Sequence, residues 1–359
     1  MPSPIRFHLL PVADFGGLAD TWRALEKSAD VSFFQSWTWV GCMAETRFPD
    51  PVLLRAEQDG QVVALALCNR TTSWWGGEMF WLGESGTPAL DGVYVEHNGP
   101  LLAREAEAFL PAVLRALLQG GLFPGGRRLR LSGVDAKNLA AARAAGATRL
   151  LRQNPAPWVD FSALDGGKAF LAGLSANARQ QLRRSDRAYA AAGPIRVERA
   201  ATLAEAGCFL DALAALHQAT WTARGKPGAF ANPFFRSFHR ALLARALPRG
   251  EAEILRIAAG TGAIGYLFNF RHRGRVLAYQ SGFDYAAAGP RQKPGLTCHH
   301  AAIEFCRGEG ATAYDFLAGG DRYKTSLSNA TSELCWLDVA PRWSARGLAY
   351  WAMAGRSDG

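Results

Sequence analysis

The chain has 359 residues, of which 49% are hydrophobic and 20% charged, so it is globular, long enough for two domains, and not a disordered segment. Its formal charge of +9 favours acidic partners (nucleic acid, an anionic membrane surface, phosphorylated small molecules) without choosing among them. Six scattered cysteines form no C-x-x-C pair, which speaks against a zinc ribbon or redox motif and for free buried thiols in a reducing compartment. The N-terminus lacks a secretory apolar core, and no window approaches the ~18–20 apolar residues of a membrane span. A cytoplasmic location is expected.

In chain order, Ile5 to Leu10 reads as a strand and Leu18 to Ser28 alternates at helical period. Ser36 can cap a helix running to about Thr46, with Trp37, Val40 and Cys42 inward. Pro51 to Glu57 and Gln61 to Arg70 are strands joined by Asp59-Gly60, a strong hairpin signal. Further strands are expected over Glu78 to Leu82, Asp91 to Val95 and Arg128 to Leu131, with helices over Arg104 to Leu118 and Lys137 to Ala145. This half holds Trp22, Trp37, Trp39, Trp74, Trp75 and Trp81. Core packing accounts for most of them more readily than a sugar-stacking platform, and Trp74-Trp75 is the pair most suspected of exposure.

Gln153 to Trp158, with two prolines and no clear period, marks a boundary between residues 1–155 and 156–359. The stretch SANARQQLRRSDRAYAAAG follows, with Ser175 or Asn177 as cap and Gly193 as stop. Arg179, Arg183 and Arg187 recur every four residues and share one helical face, with Arg184 and Arg152 adding charge. The stripe can grip phosphates of an acceptor or lie on anionic lipid; a solvated helix face is the plain alternative. Beyond it the pattern gives a strand (Ile195 to Ala200) and two helices (Leu203 to Ala223, Pro233 to Ala246). Three strands (Ala252 to Ala258, Ile264 to Arg271, Val276 to Asp284) form a meander, and a last strand (Glu333 to Val339) and a helix from Ser344 close the chain.

The strand Val276 to Asp284 enters a loop, Ala286 to Gly295, and then a helix over Leu296 to Arg307, followed by a strand over Ala313 to Leu317. A helix start leaves its first N–H groups unpaired and carries partial positive charge. Gly295 permits close backbone approach, and Arg291, Gln292 and Lys293 add donors, so a phosphate or pyrophosphate is the natural guest. An ordinary Pro-Gly connection with solvated charges would give the same sequence.

The order β-α-α-β-β-β-α-β, with the anion turn between the fourth strand and third helix, resembles the GNAT acyltransferase fold. Gln292-Lys293-Pro294-Gly295-Leu296-Thr297 is similar to that fold's Q/R-x-x-G-x-G/A pyrophosphate loop, with Thr297 replacing the final small residue. Phe283-Asp284, Pro294-Gly295, Tyr314-Asp315-Phe316-Leu317 and Asp321-Arg322-Tyr323-Lys324 resemble the landmarks of FemAB-like acetyltransferases, including the type associated with cellulose, exopolysaccharide and holdfast synthesis. Upstream, SFFQSWTWV and LSANARQQLRRS look like the same family.

The resemblance implies an α/β (α+β) chain of two tandem GNAT-like domains, with mixed, mostly antiparallel sheets flanked by helices. The N-terminal copy is degenerate: Val93 to Leu102, Arg104 to Leu118 and Arg128 to Asp135 repeat strand, loop, helix and strand, but with Asn98-Gly99-Pro100 at the turn and no basic donor nearby. It further implies acetyl-CoA or another acyl-CoA as donor, no metal, and a sugar or lipid-linked glycan precursor as acceptor, with peripheral membrane contact allowed. Aminoacyl-tRNA-dependent transfer, which the wider Fem group performs, and a non-catalytic anion-binding member are the alternatives.

Direct attack on a thioester needs a held pantetheine, a backbone N–H on the carbonyl and a group to remove a proton. No G-x-S-x-G elbow or Cys-His signature argues for a covalent intermediate. Asp284 is the first candidate base or acceptor-orienting group, against a turn-capping role. Asp315 can share its cleft, in which case like charges raise one pKa. Tyr323 can return a proton to the leaving thiolate, and Lys324 can neutralise a phosphate or oxyanion, against a structural pairing with Asp315 or Asp321. His299 is a further candidate base, although a histidine on an apolar stripe is more often packed than catalytic. Arg291, Gln292, Lys293, Gly295, Leu296 and Thr297 are assigned to the donor, and Arg179, Arg183 and Gln280 to the acceptor.

Overall fold

A computed structural model describes residues 3–73, 77–120, 126–164 and 170–354. Trp74 and Trp75 lie outside the described residues. The elements follow in order as β1 (Arg6–Pro11), α1 (Phe15–Glu26), α2 (Trp37–Arg47), β2 (Pro51–Gln58), β3 (Gln61–Ser73), β4 (Gly77–Leu82), β5 (Leu101–Leu102), α3 (Leu110–Leu118), β6 (Arg127–Val134), α4 (Ala136–Ala145) and β7 (Ala147–Asp160). Then come α5 (Ala176–Ala190), β8 (Ile195–Arg199), α6 (Leu203–Ala223), α7 (Pro233–Ala246), β9 (Ala252–Ala259), β10 (Gly262–His272), β11 (Arg275–Phe283), α8 (Pro294–Gly308), β12 (Ala313–Asp315), α9 (Arg322–Leu327), β13 (Ala330–Ala340) and α10 (Ala345–Ala354).

The chain forms two compact units: Met1–Asn154 with Glu333–Gly359, and Pro155–Ser332. The last segment, expected with the second domain, therefore belongs with the first. In the first unit β1, β2, β3 and β4 pair antiparallel in sequence, β4 pairs β6 in parallel, and β6 pairs β13 antiparallel. In the second unit β8, β9, β10 and β11 repeat the antiparallel run, β11 pairs β12 in parallel, and β12 pairs β7 antiparallel. Each unit thus has one parallel pair in a mostly antiparallel sheet, with two helices between its first and second strands. The parallel ladder of β6 is with β4, and the expected Val93–Leu102 run meets β6 only at a single parallel bridge, Asn98 opposite Val134. The run Asp91–Val95 is a loop, because Asp91 serves as a hub: its carboxylate accepts from the Ser85 N–H (2.7 Å), the Ser85 hydroxyl (2.8 Å) and the Gly86 N–H (2.8 Å).

Asp59 (φ 51°) and Gly60 (φ 77°) make the left-handed turn between β2 and β3. Ser36 caps α2, with Trp39 N–H on its hydroxyl at 3.4 Å. That helix is buried nearly all round, so its tryptophans, together with Trp22, belong to the core rather than to a sugar platform. The expected helix over 104–118 divides at Pro111, whose missing N–H starts α3 after a 3-10 stretch. Five of the six cysteines are buried and all are free; Cys208 is exposed, contrary to expectation. Among the described residues no helix is long and apolar enough to cross a membrane, and no group of three or more His, Cys, Asp or Glu side chains could hold a metal ion.

The core of the second unit brings Leu182 and Tyr189 of α5 against Cys298, Ala302, Ile303 and Cys306 of α8, and both against β9 to β12. On the other face of the sheet, α6 packs so closely on β11 that a Cβ at Gly282 would meet the Leu213 carbonyl oxygen at 2.3 Å. That approach is possible only for glycine.

Candidate active site

The site begins where β11 and β12 part. Their parallel pairing covers only Arg275, Val276 and Leu277. Beyond Asp315 the chain bonds to the opposite neighbour instead: Phe316 N–H to Pro157 O (3.0 Å) and Gly319 N–H to Pro155 O (2.9 Å). The second half of β11 is thereby left splayed from β12. It also carries a bulge, because Phe268 faces Gln280 while Asn269 faces Ala278, leaving Tyr279 as the extra residue. Gln280 stands half-buried beside that bulge.

β11 leads into α8, which starts with Pro294 at its first position. The capping residue, Lys293, has no side-chain acceptor to offer. Ser185 of α5 supplies one, accepting from Lys293 N–H at 2.8 Å and sharing a 2.8 Å hydrogen bond with the Thr297 hydroxyl. Asp186 fixes the same turn from the other side, bonded to the Thr297 hydroxyl (2.8 Å) and to His300 Nδ1 (2.9 Å). Gln292 folds back to accept from Gly289 N–H at 2.6 Å. Among the expected donors, then, the Lys293 amide, Gln292 and the Thr297 hydroxyl are engaged within the protein. The amides of Gly295 and Leu296 find no acceptor among the described residues. They form an electropositive helix start. The space above Gly295 is bordered by Phe283 at 3.3 Å and the Tyr285 hydroxyl at 3.4 Å from a would-be Cβ, so this glycine accommodates rings as well as backbone.

The candidate acids fall at opposite ends of β11. Asp284 lies just past its last residue, its carboxylate accepting from Ala287 N–H at 2.9 Å in a turn-capping bond. Asp315 is wholly buried opposite Leu277, near the strand's start. Seven strand positions separate Leu277 from Asp284, a span of about 23 Å. The structure does not bring the two carboxylates together, and no shared-proton pair forms. Asp315 instead pairs with Arg275 at 3.2 Å and accepts from Leu317 N–H at 2.8 Å, holding Leu317 at φ 60°. Lys324 Nζ donates to Ala318 O at 2.9 Å.

His299 points from α8 into an aromatic cluster of Phe283, Tyr314, Phe316 and Tyr323. It stacks on Tyr323 at 5.2 Å and shares a hydrogen bond with the Tyr314 hydroxyl at 3.0 Å, while its buried Nε2 has no partner. Burial, with Lys324 nearby, pulls its pKa down to about 3. A ring so reluctant to take a proton is a poor base at neutral pH and a good packing element. Tyr323 is held in its neutral, proton-bearing form by burial. The Cys298 thiol, beside Gly295 in the helix, is likewise pushed up by burial and then by Asp186, which removes it as a nucleophile.

Sequence reasoning missed Ser185, Asp186, Tyr285 and the bulge at Tyr279. Ser185 left a signal: it sits with Leu182 and Tyr189 on the one buried stripe of an otherwise charged helix. The bulge leaves none, since it depends on cross-strand register. Missed too was His217, whose Nδ1–H donates to Ser281 O at 3.1 Å and whose Nε2 accepts from Ala229 N–H at 3.4 Å, tying α6 to the end of β11.

Residues 176–325 match the family model described as an acetyltransferase (GNAT) domain. Among solved structures the chain is similar to FemX, at 11% identity and a TM-score of 0.63, over 96% of this chain and 100% of that one. It is also similar to the C-terminal domain of a protein described as a lysylphosphatidylglycerol synthetase from Agrobacterium fabrum, at 11% identity and a TM-score of 0.56, over 95% and 96% of the two chains. L-PGS from Bacillus licheniformis follows at 11% identity and a TM-score of 0.51, over 92% and 94%. These likenesses establish the fold. No curated protein sequence matches.

Proposed function

We propose that this chain, whose residues 176–325 match a GNAT acetyltransferase domain and whose fold is like that of FemX, is an acyltransferase that moves an acyl group from a coenzyme A thioester to an amine or hydroxyl on a sugar or lipid-linked glycan precursor. The observation that carries the reading is the opening between β11 and β12, flanked by a bulged strand and by two helix-start amides without acceptors. A thioester arm lying along the splayed half of β11 would add hydrogen bonds where the sheet has none. Its diphosphate would meet the Gly295 and Leu296 amides. The bulge at Tyr279 supplies a break in the ladder from which a backbone N–H can polarise the carbonyl.

Asp284 orients the attacking group or takes its proton, releasing its bond to Ala287. Tyr323, protonated at neutral pH, is suited to return a proton to the departing thiolate. Both buried thiols of α8, Cys298 and Cys306, are held protonated, which favours direct transfer over an acyl-enzyme. The work is done in a reducing cytoplasm.

Isothermal titration with acetyl-CoA tests the reading. Binding of one equivalent, lost on Gly295→Trp with the circular dichroism spectrum retained, is expected. Transfer from a charged tRNA, abolished by ribonuclease, with no affinity for any acyl-CoA, would replace it by the aminoacyl-tRNA reading. Asp284→Asn should lower turnover at least tenfold while sparing donor affinity; unchanged turnover would remove Asp284 from the mechanism.

A further inference from the structure

Along the outer face of α5, Arg179, Gln180, Arg183, Arg184 and Arg187 line a concave groove of about 570 Å³, and Arg291 from the loop before α8 completes it. The sequence had divided these arginines between donor and acceptor; the fold gathers them in one place. None of the five guanidinium groups forms an ion pair among the described residues. Arg179 turns inward, donating to Ala172 O (3.1 Å) and Leu174 O (2.8 Å), while Arg183, Arg184, Arg187 and Arg291 are exposed. The nearest acid on the helix, Asp186, faces the other way, spent on Thr297 and His300.

Five like charges around one space repel each other until an anion enters. The volume lies within the roughly 300–1,000 Å³ typical of small-ligand pockets. Every cation is arginine, whose planar fork matches phosphate oxygens in pairs and whose face stacks on flat rings. From Arg179 to Arg187 the helix rises about 12 Å, room for more than one phosphate. No large apolar side chain lines the groove, which argues against insertion into lipid, and no aromatic ring does, which argues against stacking of single-stranded RNA.

We propose that this groove seats the polyphosphate of a nucleotide-bearing substrate, a nucleoside carrying two or more phosphates. The nucleotide end of the donor and a nucleotide-activated acceptor share that chemistry. The proposal rests on the acyltransferase reading only in making the nucleotide part of a substrate.

Titration calorimetry of the full chain with coenzyme A, adenosine 3′,5′-bisphosphate and UDP tests it, using wild type, Arg183→Ala/Arg187→Ala and Arg183→Lys/Arg187→Lys. At least one probe binds wild type; the double alanine variant weakens it tenfold or more and makes binding less salt-sensitive, and the lysine variant recovers only part. Loss for coenzyme A and the bisphosphate together assigns the groove to the donor, and loss for UDP alone assigns it to the acceptor. Binding of UDP through the groove with no affinity for coenzyme A would uphold the groove and sink the donor reading. Coenzyme A bound equally by wild type and double variant would overturn the groove and leave the acyltransferase reading intact. Failure of all three nucleotides, with RNA or phosphatidylglycerol vesicles bound instead, would also overturn it.

Discussion

Ser185→Ala removes three contacts at the start of α8, the longest of them to Lys293 O at 3.4 Å, and touches nothing proposed to react. The hydroxyl accepts from Lys293 N–H at 2.8 Å and is hydrogen-bonded to the Thr297 hydroxyl at 2.8 Å, and Ser185 is fully buried. Lys293 has no means of capping the helix itself, and its N–H would be left without an acceptor. Loss of a helix cap costs about 0.5–2 kcal/mol, and an unmet buried donor about 1–3 kcal/mol. Asp186 still holds Thr297, so the sum stays near the lower values, about 1–3 kcal/mol. Hydrogen exchange reads this locally, without assuming that the two units unfold together. Amides in the first turns of α8 should exchange roughly 5- to 150-fold faster, with those of α6 unchanged. Protection within twofold of wild type would show that Ser185 does not secure this helix, and that the alignment of the Gly295 and Leu296 amides has another origin.

Asp315→Asn should destabilise the protein toward the low end of the roughly 3–5 kcal/mol for breaking a buried pair, since Arg275 is partly exposed. Turnover at saturating donor should hold; a selective loss of turnover with unchanged melting temperature would return Asp315 to the active site. Acid should weaken the fold through its buried imidazoles. His299 (about 3) and His272 (about 4) titrate far below the ordinary value near 6.5, and His217 is shifted the same way, each mainly by burial. Between pH 6.5 and those values the unfolded chain binds more protons, so stability is complete above pH 6.5 and is lost as pH falls, by about 1.4 kcal/mol per unit for a single histidine. Urea denaturation at stepped pH checks the slope, which His299→Gln should reduce; an equal slope would mean that His299 is not held neutral.

Local chemistry made much of this fold legible. Asp59-Gly60 announced its hairpin and Ser36 and Ser175 their helices, whereas α8 begins at Pro294, two residues ahead of the expected Leu296. What the sequence concealed depends on partners distant along the chain. Asp91–Val95 has strand-like composition, yet Asp91 staples Ser85 and Gly86 into a loop. β7 runs through Pro155 and Pro157 because those residues need only offer carbonyls, which accept from Gly319 and Phe316. At the site, the glycine-containing turn and the arginine stripe could be read from spacing. Asp315 could not be separated from Asp284 without the register of β12 on β11. Nor did the sequence show that a serine from another helix caps α8.

A crystal structure with coenzyme A bound tests the central claim most directly. The account predicts diphosphate oxygens within hydrogen-bond range of the Gly295 and Leu296 nitrogens, with the pantetheine arm along the splayed half of β11. Coenzyme A bound elsewhere, with no oxygen of it near the Gly295 and Leu296 nitrogens, would contradict it.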